Sequence, residues 1–176
     1  MIKQVFFAGK FTLNKDESLP LSERLQHDYR SKLLDNPILL AYAGEPRPLG
    51  NGFLYGGTFY SEKASDGNYT SNDCTTVIRA EYRAVAKCDV FVAVLDESFS
   101  TGTVVEIEWA LLLEKAIVLY YRPGKISPYR YKSEYWFVIA DVVRRSNRVI
   151  VRSFEDQQQV VDELRKGEVL QEAYEL

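Results

Sequence analysis

CDVFVAVLDESFSTGTVVEIEWALLLEKAIVLYY, residues 88–121, holds two apolar runs, CDVFVAVLD and Ala116 to Tyr121, on either side of a helix-forming segment. The first run is near-continuous in Val, Phe, Ala and Leu, the pattern of a strand buried on both faces rather than one that alternates towards water. Two such strands joined through a helix form a crossover unit, so they lie parallel in one sheet. The helix adds a puzzle. From Thr103 to Leu113 it is apolar almost all round, apart from Glu106 and Glu108. A helix that is hydrophobic on every side is normally buried, and a buried ionised carboxylate costs several kcal/mol unless it is paired.

The same rhythm extends in both directions. Ile2 to Ala8 reads as a short buried strand ending at Gly9, and a helix from about Pro20 to Leu34 has Leu21, Leu25, Tyr29 and Leu33 on one face and stops before Asn36-Pro37. Ile38 to Ala43 reads as a second strand. Residues 44–73 are rich in Gly, Pro, Ser and Asn and contain FLYGGTFY, whose simplest reading is a hairpin turning at Gly-Gly, in a segment longer than a plain connection and placed over the crevice. A helix from about Thr75 to Lys87 precedes the 88–121 unit. A helix from about Ser133 to Arg145, a strand Arg148 to Arg152 and a C-terminal helix from about Glu155 follow it. The expected architecture is α/β: one flavodoxin-like or Rossmann-like domain over residues 1–176, with a parallel five-stranded sheet and helices on both faces.

Composition narrows the function. The 176 residues are 46% hydrophobic and 27% charged with a net charge of −3, an ordinary globular balance without the basic block that would track polymeric nucleic acid. No apolar run reaches the roughly 18 to 20 residues of a membrane helix, and MIKQVFFAGKF enters a strand too early for a secretory signal, so a cytoplasmic location is expected. Cys74 and Cys88 lack metal-ligand spacing, and His27 is the single histidine. Ser-His-Asp and Cys-His mechanisms and most zinc sites are thereby set aside, no metal or cofactor is expected, and carboxylates are left to carry any chemistry.

In parallel sheets ligands bind beyond the carboxyl ends of the strands, which selects AGKFT, residues 44–73, LDESFSTGT and YYRPGKIS. Thr103 to Glu106 fits a capping box. Alternatively, Glu106 faces the crevice, with Gly102, Thr103, Trp109 and Ala110 around it leaving room for a ligand. Glu108 points the other way, towards Val104, Leu112 and Lys115, as a half-exposed salt-bridging residue. Glu81 shares its helix face with Val77, Ala84 and Val85, so two acids sit on neighbouring inward stripes. Ser98, Ser100, Thr101 and Thr103 crowd a helix N-terminus that favours an anion, and Gly102 lets a ligand approach the backbone. Lys10, Arg122 and Lys125 stand in the other crevice loops.

VFFAGKF at the first strand, AEYRAVAKCDVFVAVLD and STGTVVEIEWA together resemble the nucleoside 2-deoxyribosyltransferase family and its nucleoside 5'-monophosphate N-glycosidase relatives; the last segment is similar to the family's Gly-x-x-x-Glu-[Ile/Leu]-Gly-x-Ala nucleophile motif. The resemblance covers the core topology but little of residues 44–73 or the C-terminal helix. It implies that Glu106 is the nucleophile and that Glu81 orients the sugar and handles the proton on the leaving base. It also implies an aromatic from Phe53 to Tyr60, Tyr55 or Phe59, stacked on that base, and ligand contacts from Phe6, Gly9 and Lys10. Glu108 stands where the family usually has Gly, and Glu81 is one methylene longer than its usual Asp. Phe6 matches some ribonucleotide-cleaving relatives where many transferases have Tyr. Ser100 matches the monophosphate hydrolases where nucleoside transferases have a sugar-binding Asp. With Ser98 and Ser127 nearby, Ser100 favours a 5'-phosphate. The implied protein is a small-molecule nucleoside or nucleotide enzyme, needing no cofactor and assembling as a homodimer or higher homo-oligomer. A different class is also open: a nucleotide-binding or sensing domain that has the pocket without turnover.

Overall fold

The computed structural model describes residues 2–9, 47–55, 74–96, 100–124, 131 and 133–176. Six strands, β1 (Lys3–Gly9), β2 (Arg47–Pro48), β3 (Phe53–Tyr55), β4 (Val90–Leu95), β5 (Ala116–Tyr121) and β6 (Val149–Ser153), form one sheet in the order β2-β3-β1-β4-β5-β6. The last five in that order are parallel, and the two-residue β2 closes the β3 edge antiparallel. Five helices accompany them among the described residues: α1 (Cys74–Lys87), α2 (Thr101–Leu112), α3 (Trp136–Arg145), α4 (Gln157–Lys166) and α5 (Glu168–Glu175).

Alternation along the strands builds two cores. Val90, Val92 and Val94 of β4, with Ala116, Val118 and Tyr120 of β5, face the layer that holds Val160, Val161 and Leu164 of α4 and Leu170 of α5. Their neighbours Phe91, Ala93, Leu95, Ile117 and Leu119 face the opposite layer, with Val85 of α1, Ile107 and Ala110 of α2, and Ile139 and Val142 of α3. A strand burying both faces has no polar side to present, which is why β4 and β5 read as continuous apolar runs.

The edge next to β1 differs from the sequence expectation. Phe53–Tyr55 is not the first arm of a hairpin turning at Gly-Gly; it is a sheet strand paired parallel to β1, Lys3 opposite Phe53 and Val5 opposite Tyr55. The tight turn lies before it, at Gly50–Gly52, where Asn51 (φ 56°) and Gly52 (φ 74°) occupy the left-handed region. Residues 47–55 of the expected 44–73 insertion therefore belong to the sheet, while Ile38–Ala43, the helix expected from Pro20 to Leu34, and the Gly-Gly pair lie outside the described residues. The expected C-terminal helix is two helices, broken at Gly167 (φ 74°), whose left-handed conformation ends α4. At that break Gly50 and Gly167 touch backbone to backbone: a Cβ on Gly167 would sit 2.3 Å from the Gly50 carbonyl oxygen. Among the described residues no helix is long and apolar enough to cross a membrane.

Candidate active site

Parallel strands β1, β4, β5 and β6 all end on one side of the sheet, and α2 and α3 begin there. Helix α2 starts two residues earlier than its apolar pattern suggests. Ser100 is its cap: the Thr103 backbone NH donates to Ser100 Oγ at 3.4 Å and Thr103 Oγ1 donates to the same oxygen at 3.0 Å. Both lone pairs of that hydroxyl are then engaged, and its own proton remains to be given away. The assignment also bears on the capping role of Glu106. With the cap at Ser100, the capping-box partner position is Thr103, and Glu106 lies in the second turn, beyond reach of the cap's NH. The capping-box reading of Thr103 and Glu106 is thus corrected.

Glu106 is half-buried on α2, next to the inward residues Ile107 and Ala110. One turn along, the ring of Trp109 meets Tyr82 of α1 edge to face, with centroids 5.4 Å apart and planes at 85°. Tyr82 adjoins Glu81, which is only 7% exposed. The two carboxylates therefore stand on helices joined by an aromatic pair, Glu81 next to Tyr82 in sequence and Glu106 three residues before Trp109. Gly102, in the first turn of α2, faces open space, since a Cβ there would meet nothing within 4 Å.

Glu108 leaves this seam for the opposite side of α2. It accepts two hydrogen bonds from Arg145 of α3, at 2.7 and 2.8 Å, and Arg145 also bonds Asp141 at 3.2 Å. The Arg145 hydrogen bonds hold the Glu108 carboxyl below its ordinary range, and Glu108 in turn raises the Arg145 guanidinium. This carboxylate is half-exposed and salt-bridged as expected, but its partner is Arg145, which ties α2 to α3 at the surface, while Lys115 donates to the Ala86 carbonyl.

Two groups at the strand ends carry more structure than local sequence pattern could show. Tyr135, just before α3 and 2% exposed, accepts a 2.8 Å hydrogen bond at its hydroxyl from the Ser100 backbone NH. Burial pushes its phenol pKa up. Asp96, at the end of β4, receives Arg122 Nε at 2.5 Å and a second nitrogen at 3.4 Å. The same guanidinium donates to the Glu155 carbonyl and lies over the Phe154 ring, 5.0 Å from its centroid. Arg122 is thus a brace across the ends of β4, β5 and β6 rather than a charge held for a ligand. Both pairings join residues at least 26 positions apart, and the readable signal was only a polar or aromatic residue standing at a strand or helix end.

The other expected contacts fall in three groups. Thr103 and Ser100 are brought together at the helix cap. Phe6 is buried and stacked on Phe91, with centroids 5.6 Å apart, in the core layer under α1 to α3, and Gly9 is the buried end of β1, where an added Cβ would lie 3.3 Å from the Phe7 ring. Tyr55 packs in the other layer, against α4 and α5, across the sheet from Glu81 and Glu106. Side-chain alternation along β3 sends it there, so it is withdrawn from the base-stacking role. Lys10, Phe59, Ser98, Lys125 and Ser127 lie outside the described residues.

No family model and no curated protein matches the chain. Solved structures do resemble it. A CMP N-glycosidase of Clostridium botulinum, BcmB, is similar at 20% identity over 92% of this chain and 98% of its own, with a TM-score of 0.49. A mutation variant of SsGBP is similar at 11% identity over 98% of this chain and 55% of its own, with a TM-score of 0.45.

Proposed function

We propose that the chain cleaves the N-glycosidic bond of a nucleoside or nucleoside 5'-monophosphate. The observation that carries the reading is the placement of Glu106: a half-buried carboxylate in the second turn of α2, released from capping duty by Ser100 and set beside the helix that holds the buried Glu81. The motif resemblance around STGTVVEIEWA supports the same assignment.

In this reading a Glu106 carboxylate oxygen attacks C1', forming an ester bond as the bond from C1' to the base nitrogen breaks. The bonding pair leaves with the base, which takes a proton, and Glu81 is the group assigned to that proton and to the sugar hydroxyls. Water or a second base then attacks C1', frees Glu106 and completes hydrolysis or transfer. At the other end of the sugar, the Ser100 hydroxyl has a proton to donate and the first turn of α2 has free NH groups, which suits a 5'-phosphate.

The test is incubation of the full chain with a panel of ribo- and deoxynucleosides and their 5'-monophosphates, with and without a second free base, followed by chromatography. Released or exchanged base supports the reading. Saturable binding with no release in any mixture overturns it in favour of a nucleotide sensor.

A further inference from the structure

Strand β6 stands at an edge of the sheet, with β5 on one side and no strand on the other among the described residues. Its register with β5 shows which backbone groups are in use. The Ile117 NH donates to the Arg148 carbonyl at 2.8 Å and the Phe154 NH donates to the Tyr121 carbonyl at 3.0 Å, with Ile117 opposite Val149 and Tyr121 opposite Ser153. In a ladder, residues that bond the neighbouring strand alternate with residues that face away from it. Arg148, Ile150, Arg152 and Phe154 therefore turn their backbone groups to β5. Val149, Val151 and Ser153 turn theirs outward, and among the described residues no hydrogen bond reaches those groups. The strand is well held all the same. Val149, Ile150 and Val151 are β-branched, which suits an extended backbone, and the side chains of Val149 and Val151 pack against the layer of α1, α2 and α3.

We infer that the free edge of β6 is a docking site for an extended segment of another protein, one that carries an acidic residue on either side of an apolar residue. Outward NH and carbonyl groups in strand geometry are satisfied together only by another extended backbone, which selects strand addition as the mode of binding. Charge selects the sequence. Arg148 and Arg152 stand at the two ends of the edge with the buried Ile150 between them. Arg148 gives one nitrogen to the Glu114 carbonyl at 2.9 Å and meets no carboxylate among the described residues. Arg152 donates to Glu172 at 2.8 Å while its side chain stays 44% exposed, so donors are left over for a second carboxylate. A second copy of this chain is the poorer occupant. Two β6 strands paired antiparallel about Ile150 would bring Arg148 opposite Arg152 at both ends, and like charges directly opposite destabilise a strand pair. The arginines that discourage self-pairing are thus the groups that favour an acidic partner.

The probe is a capped synthetic peptide, Ser-Glu-Thr-Val-Thr-Glu-Ser, titrated into the full chain and followed by amide NMR and hydrogen exchange. It should bind saturably, at least about tenfold more tightly than the same peptide with both Glu replaced by Lys. Bound peptide should slow exchange at the Val149, Val151 and Ser153 amides, and its affinity should fall as salt rises. Val151→Pro removes an outward NH and none that β5 uses, so it should leave the circular dichroism spectrum unchanged and weaken the peptide at least about tenfold. Should that variant fail to fold, Arg148→Glu gives the parallel reading, a preference for the Glu peptide that narrows or inverts. Absence of binding up to about 1 mM, equal affinity for the Glu and Lys peptides, unchanged exchange at the three amides, or a folded Val151→Pro that binds normally would each overturn the inference. Protection of the three amides by dimerisation without peptide would overturn it in favour of a second copy. The outcome is independent of whether the protein cleaves a nucleoside.

Discussion

The backbone NH of Ser100 and the hydroxyl of Tyr135 meet at 2.8 Å, joining the cap of the helix that carries Glu106 to the start of the next helix. Tyr135 is only 2% exposed, so its hydroxyl is largely shielded from competing water. Tyr135→Phe should leave the Ser100 NH without its acceptor, a loss of about 1 to 3 kcal/mol, and lower the melting temperature by about 3 to 10 °C. It should also cut kcat/KM more for a monophosphate than for the matching nucleoside, because the loosened cap is the end assigned to the phosphate in the proposed function. An unchanged melting temperature would mean that the bond contributes nothing to holding α2.

Glu106→Ala should reduce kcat by at least about a thousandfold while the chain stays folded, the scale expected when covalent catalysis fails. A 2'-fluoro substrate analogue should leave a sugar adduct on Glu106 that peptide mass spectrometry locates. An adduct on Glu108 instead would contradict its surface pairing with Arg145.

Glu81→Gln preserves shape and removes the charge. Base release should slow more for poor leaving groups than for activated ones, which a series of substituted bases measures as a steeper dependence of kcat on leaving-group pKa. Equal slowing across the series would restrict Glu81 to positioning the sugar.

Ser100→Asp places a negative charge where the hydroxyl now caps α2. The wild type should prefer 5'-monophosphates over nucleosides by at least about tenfold in kcat/KM, and the variant should reverse the order, since one charge-assisted contact is worth about 1.5 to 3 kcal/mol. A wild type that prefers free nucleosides would remove the phosphate from the proposal and leave a nucleoside transferase.

Gly167→Ala tests the contact between the edge hairpin and the helix break. The site combines a left-handed φ of 74° with backbone 2.3 Å from the added Cβ, so strain and overlap act together. Urea denaturation should show a loss of at least about 2 kcal/mol, beyond the ordinary cost of the conformation alone. A loss under about 1 kcal/mol would show that the hairpin shifts freely.

The central strand–helix–strand unit was legible because its signals are long: β5 spans Ala116 to Tyr121, as its apolar run indicates. Phe53–Tyr55 was not, because three residues are too few to show a period and their neighbours are turn formers. The start of α2 was misplaced because Ser100 and Thr103 are both competent caps, and the hydrogen bonds from Thr103 to Ser100 Oγ show which one serves. The break in the C-terminal helix did have a written signal, the glycine in RKGEV. At the site, the inward place of Glu81 on α1 could be inferred from helix period alone. The Asp96–Arg122 brace could not, since no local pattern pairs residues from two different strand ends.

Strand β2 is two residues long, and one of them is Pro48, which has no NH to offer a further strand. Among the described residues, that edge is thus short and poor in donors, which disfavours lengthening by addition of another chain's strand, the route by which open edges grow into aggregates. The chain can thus leave apolar side chains of α1, α2 and α3 exposed without offering this edge as a second place to stick.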